Sequence, residues 1–141
     1  MTNESDQTAI EQVIKNWDDA LYHKDIDRLA THYSADCITF DVGDQVEGPE
    51  GIKALWEPCL QFFGDHIGIQ RKDESVTVSG NLALVTSYNR LTGMASDMDA
   101  AKSWLRSTVV FRKVDGEWKI HHEHISFPFD CEKEKPAYIL D

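Results

Sequence analysis

What this chain lacks narrows it first. It has no run of some 18 apolar residues, the length a membrane-crossing helix needs, so a spanning helix is not expected. Its start, Met1-Thr2-Asn3-Glu4-Ser5-Asp6, is polar and acidic, without the basic head and apolar stretch of a secretory signal, and a cytoplasmic protein is expected. Basic residues are scarce: 14 Lys and Arg stand against 25 Asp and Glu, a net charge of −11. Nucleic acid and anionic membrane surfaces recruit basic patches, so both are excluded as expected partners. Cysteines number three (Cys37, Cys59, Cys131), odd in count and without CxxC spacing, which argues against a disulfide framework or a zinc knuckle. No internal repeat or low-complexity segment breaks the chain.

What is present suits one domain, residues 1–141, with residues 130–141 as a charged, loosely held tail. Hydrophobic residues make up 41% and charged residues 28%, a balance that builds a core and keeps the surface wet. Ile10, Val13, Ile14, Trp17 and Leu21 recur at helical spacing, with Thr8 and Glu11 placed for a capping box. Asp25 is placed to cap a second short helix carrying Ile26, Leu29, Ala30 and Tyr33. A strand follows from Cys37 to Val42. Gly48-Pro49 opens a third helix, and Pro58 inside its apolar stripe predicts a kink or early break. The remainder alternates like strands: Ile67 and Ile69 continuing through Val76 and Val78, then Leu82 to Met94, then Trp104 to Val114. Asp115-Gly116 then signals a hairpin into a last strand. Helices followed by antiparallel strands predict an α+β fold.

The last strand, Trp118-Lys119-Ile120-His121-His122-Glu123-His124-Ile125-Ser126, carries the chemistry that stands out. Side chains alternate across a strand, so unbroken alternation puts His122, His124 and Ser126 on the face of Trp118 and Ile120, toward the core, and His121 and Glu123 on the other. Two inward imidazoles point to a pocket. Asp41, at the end of the first strand, supplies a carboxylate that an apolar site would turn into a general base. As alternatives, Asp41 serves its turn with Val42-Gly43-Asp44, the histidines are satisfied core residues, or His122, His124 and Asp41 hold a metal. No metal and no cofactor enters the favoured expectation.

The ordered pieces Lys24-Asp25-Ile26-Asp27, Tyr33 through Asp41, Val46 through Ile52, Arg106-Ser107-Thr108 and Trp118 through Ser126 resemble the NTF2-like superfamily in its SnoaL-like, ketosteroid-isomerase-like branch. The resemblance runs from about residue 8 to residue 128. It implies a cone-shaped, cystatin-like fold: three N-terminal helices packed in a curved, mainly antiparallel sheet, with a pocket at the mouth. It places Asp41 at the position of the isomerase's base and sets Arg106 and Thr108 on the concave side. Trp17 falls where that isomerase has its oxyanion tyrosine, and Thr108 and Val109 near its late aspartate, so that oxyanion hole is not reproduced.

The expected function is isomerase-, cyclase- or dehydratase-type acid–base chemistry on a small apolar carbonyl compound. Asp41, His122 and His124 would be catalytic, and Trp17, Tyr33, Phe40, Trp56, Tyr88, Arg106, Thr108 and Ser126 would bind the small-molecule ligand. The alternative is a pocket that binds a hydrophobic ligand without chemistry, or an assembly domain. By the same parity Leu105, Val109, Phe111, Ile125 and Phe127 form outward apolar rows, which predict a homodimer through the convex face of the sheet.

Overall fold

The computed structural model describes residues 3–141; Met1 and Thr2, at the head of the polar start, lie outside them. Three helices come first: α1 (Asn3–Tyr22), α2 (Ile26–Ala30) and α3 (Gly48–Trp56). α1 begins five residues before Thr8, so the expected capping box does not form. The Thr8 hydroxyl instead donates to the Glu4 carbonyl inside the helix, and the acidic first turn (Glu4, Asp6) suits the positive end of the helix dipole. Lys24, at φ 57°, ends α1, and the Asp25 side chain accepts from the Arg28 N–H at 3.1 Å to start α2. Pro58 acts as its position predicts. α3 stops at Trp56 and a 3₁₀ turn, Glu57–Phe62, takes over.

The strands are β1 (Tyr33–Phe40), β2 (Gln45–Glu47), β3 (Phe63–Ser79), β4 (Leu82–Met94), β5 (Leu105–Val114) and β6 (Glu117–Ser126). They form one six-stranded sheet in the order β2-β1-β6-β5-β4-β3. All neighbours are antiparallel except β1 and β6, which run parallel. A short helix, α4 (Asp99–Lys102), occupies the polar loop before β5. Asp115 and Gly116 both take positive φ, 51° and 83°, as the two-residue hairpin between β5 and β6 demands. The architecture is α+β with a curved sheet, the arrangement the resemblance implies.

The helices lie in the concavity. Ile10 and Leu21 of α1, Leu29 of α2, Ile52 of α3, Ile67 of β3 and Phe111 of β5 are removed from water together. Each large side chain so buried contributes roughly 2 kcal/mol. Beyond β6, two short strands, β7 (Phe129–Asp130) and β8 (Lys135–Pro136), make a small hairpin. Residues 130–141, expected to be loosely held, are largely exposed but tied at Ile139. Its carbonyl accepts from the Trp104 N–H at 2.8 Å, and its N–H donates to Ser103 Oγ at 2.9 Å. Among the described residues no helix is long and apolar enough to cross a membrane.

One irregularity decides where the site lies. Phe111 pairs with Ile120, but the next residue back on β5, Val110, pairs with His122, so His121 is an extra residue in β6. Such a bulge breaks the alternation. Trp118 and Ile120 face inward before it; Glu123 and Ile125 face inward after it, while His122 and His124 turn outward. His121 itself lies 3.3 Å from Ser34 Oγ and 3.6 Å from Asp36 Oδ1.

Candidate functional site

The concave face and the helices enclose a cavity of about 130 Å³ that opens at its mouth. Its walls are mainly apolar: Ile14 of α1, Leu55 of α3, Ile69 and Leu91 of β3 and β4, Val109 of β5 and Ile125 of β6 all contribute. Trp17 and Trp56 meet edge to face at 6.1 Å on the helical side.

Two carboxyl groups enter this hollow from adjacent strands. Asp41 follows the end of β1. Its backbone N–H donates to the Asp44 carbonyl at 2.8 Å, so the residue serves the turn while its side chain lines the cavity. Burial raises the Asp41 carboxyl above its ordinary range, against the Val42 N–H that favours the charged form; the Asp44 charge adds to the rise. Glu123 projects from β6 beside Thr39, its register partner on β1. Glu123 Oε1 accepts from the Tyr33 hydroxyl at 2.8 Å and from Thr39 Oγ1 at 3.1 Å. Tyr33 OH in turn accepts from Trp17 Nε1 at 3.1 Å. Burial pushes Glu123 up to about 7 despite those two donors, and the neighbouring Asp41 charge pushes the same way. Among the described residues, none hydrogen-bonds Glu123 Oε2.

A second polar group lies farther along the wall. Arg71 of β3 is held by Asp18 of α1, stands 3.9 Å from Glu74 and places its guanidinium 5.8 Å from the Trp17 ring centre. Ser87 Oγ donates to Asn89 Oδ1 at 2.7 Å, and Ser107 pairs with Ser87 on the next strand.

The expected residues therefore divide. Asp41, Trp17 and Trp56 line the cavity, and Tyr33 stands directly behind Glu123. His122 and His124 do not face it. The bulge turns both to the outer surface, where Phe40 lies edge-on to them at 5.1 and 5.5 Å and His122 Nδ1 sits 2.8 Å from the Ile38 carbonyl. The Asp41–histidine pair and a metal site built from these three residues are thus both overturned. Among the described residues no three His, Cys, Asp or Glu side chains are gathered for a metal. Phe40 is 44% exposed on the same outer face, because β1 alternates with Cys37, Thr39 and then Asp41 inward.

Arg106, Thr108, Ser126 and Tyr88 also belong outside. Arg106 pairs with Tyr88 and Ser126, and its guanidinium donates to the Phe127 carbonyl at 3.3 Å. Tyr88 lies under the Lys72 ammonium at 5.6 Å. Conversely, Leu105, Val109, Phe111 and Ile125, the rows expected outside, line the cavity, which removes that argument for a dimer face.

Sequence reasoning missed Glu123, Thr39, Arg71, Ser87, Asn89 and Ser107. A signal for Glu123 exists: the apolar phase of β6 changes from even positions (Trp118, Ile120) to odd ones (Ile125, Phe127), which requires one extra residue between.

Comparison with known proteins agrees with this fold. Among curated proteins none matches the sequence. An NTF2-like protein of unknown function from Pseudomonas putida KT2440 is similar in structure, with a TM-score of 0.84 and 29% identity over 100% of this chain and 99% of that one. An NTF2-like protein with a cystatin-like fold from Novosphingobium aromaticivorans shares the fold at a TM-score of 0.73 and 18% identity, over 86% of this chain and 81% of that one. A candidate dehydratase from the NTF2-like family of Streptomyces avermitilis does so at 0.71 and 18%, over 89% and 97%. The model of the SnoaL-like domain matches residues 10–130, nearly the whole cone with its cavity, and the chain belongs to that family.

Proposed function

We propose that the protein carries out acid–base chemistry on a small, largely apolar carbonyl compound held in the cavity, with Asp41 as base and Glu123 as acid. The observation that carries this is the pairing of two carboxyl groups on one apolar wall. Their environments separate their roles: the group that holds its proton near neutral pH donates, and the one that loses it first accepts. Asp41 removes a proton alpha to the substrate carbonyl, and the electron pair moves onto the carbonyl oxygen. Glu123 Oε2 delivers its proton to that oxygen, while Oε1 stays fixed by Tyr33 and Thr39. Return of the Asp41 proton to another carbon is an isomerisation. If the enol instead returns its proton to Glu123 as the carbonyl re-forms, and Glu123 passes it to a neighbouring hydroxyl that leaves as water, the result is a dehydration, the activity named for the Streptomyces relative.

Hydrogen–deuterium exchange at the alpha carbon of enolisable ketones tests this. Asp41→Asn and Glu123→Gln are each expected to slow exchange by about 10²-fold or more. The pH profile should be bell-shaped, falling above about 7 as Glu123 loses its proton. Equal rates in wild type and Asp41→Asn would contradict the assignment. Ketone binding without exchange in the wild type would leave a binding protein.

A further inference from the structure

We propose that Asn89 and Ser107 form a second ligand-reading pole in the cavity, so that the substrate is a neutral molecule with an oxygen function at each end of an apolar body. This rests on the cavity being the substrate site and adds the substrate class to it.

Ser107 is 5% exposed and lies in the cavity wall, yet among the described residues its hydroxyl has no hydrogen-bond partner. A cavity-wall hydroxyl without a protein partner is free to bond water or a ligand. Beside it, Ser87 Oγ donates to Asn89 Oδ1 at 2.7 Å, which occupies the Asn89 oxygen and leaves its amide N–H groups for an acceptor. The pole therefore offers an N–H donor and a hydroxyl, together suited to one hydroxyl or carbonyl oxygen.

Position sets the length of the ligand. Ser107 pairs with Ile125 on β6, and Thr39 and Phe40 of β1 pair with Glu123 and His124. Continuing that register puts Asp41 two strands from Ser107, a backbone separation of roughly 10 Å. Val109 and Ile125 supply the apolar floor between.

Charge sets the class. Arg71 is the one cation of the lining among the described residues, and it is already engaged by Asp18 and Glu74. With Asp41, Glu74 and Glu123 also in the wall, an anionic ligand meets an excess of carboxylates. A neutral oxygen at the far end meets an N–H donor and a hydroxyl that can donate or accept, with no charge to oppose it.

Three probes of one shape decide this: 1-tetralone, 6-hydroxy-1-tetralone and 6-carboxy-1-tetralone, with affinity read from the fluorescence of Trp17 and Trp56 and from calorimetry. The 6-hydroxy compound is expected to bind about tenfold tighter than 1-tetralone, and the carboxylate at least about tenfold weaker than the hydroxy compound. In an Asn89→Ala/Ser107→Ala variant with intact thermal unfolding, the ratio between the hydroxy compound and 1-tetralone falls to about one. No preference in the wild type, a preference that survives the double substitution, tightest binding of the carboxylate, or no binding of any probe overturns the proposal. Deuterium exchange at C2 of the same ketones reads the Asp41 chemistry separately. Preference without exchange keeps the pole and removes the acid–base reading; exchange without preference does the reverse.

Discussion

Glu123 keeps a carboxyl among Ile120, Ile125 and Val109, where lost hydration opposes ionisation. The consequence for stability has a definite sign. Folding raises this group from an ordinary 4.5 to about 7, so between those values the folded state holds more proton than the unfolded one. Its contribution is therefore fully present below about 4.5 and declines as pH rises to about 7, by up to about 3 kcal/mol. Glu123→Gln keeps the shape and removes the charge. Denaturant unfolding from pH 5 to 8 should show a smaller loss of stability with rising pH in this variant, which ends the more stable of the two at pH 8. Parallel curves for variant and wild type would mean that Glu123 ionises freely. At this scale the sequence was half legible. Asp41, Trp17 and Trp56 announced themselves, an acid at a strand end and aromatics on helical stripes. Glu123 stood one place from residues that looked better, and one extra residue in its strand reversed the choice.

That extra residue is an event of the element. β6 has ten residues, and its bulge at His121 changes which half of them the cavity receives. Most element boundaries follow from local chemistry: Leu82–Met94 lies between turn residues, Pro58 ends α3, and Asp115-Gly116 closes a hairpin. Facing is different, since a strand's phase depends on pairing with β1 and β5, which no single segment contains. The same slip explains why Leu105, Val109, Phe111 and Ile125 were expected on the convex surface. Deleting His121 is expected to remove the bulge while keeping Ile120 opposite Phe111 and His122 opposite Val110. Glu123 then stays inward, at a cost of about 1–3 kcal/mol from lost curvature and the lost Ser34 and Asp36 contacts. Chemical denaturation of the deletion, alone and with Glu123→Gln, checks this. A deletion protein that folds but no longer responds to Glu123→Gln at pH 8 would contradict the register.

The whole molecule supplies what neither residue nor strand holds alone: an apolar hollow closed by three helices against a curved sheet. Helices first and strands after were readable in order and spacing, and so was the family. The cone hosts many activities, so the fold leaves function to the cavity wall. Only the assembled cone shields the two carboxyl groups from water, and it is built from residues far apart in the chain: Tyr33 and Glu123 meet across 90 positions. The most direct test is therefore a carbon-13 NMR titration of the glutamate and aspartate carboxyl groups, with Glu123→Gln and Asp41→Asn used to assign the two signals. A Glu123 carboxyl titrating near 7, with Asp41 above the ordinary aspartate range, is the expected result. A Glu123 carboxyl that titrates near 4.5, as in water, would contradict it.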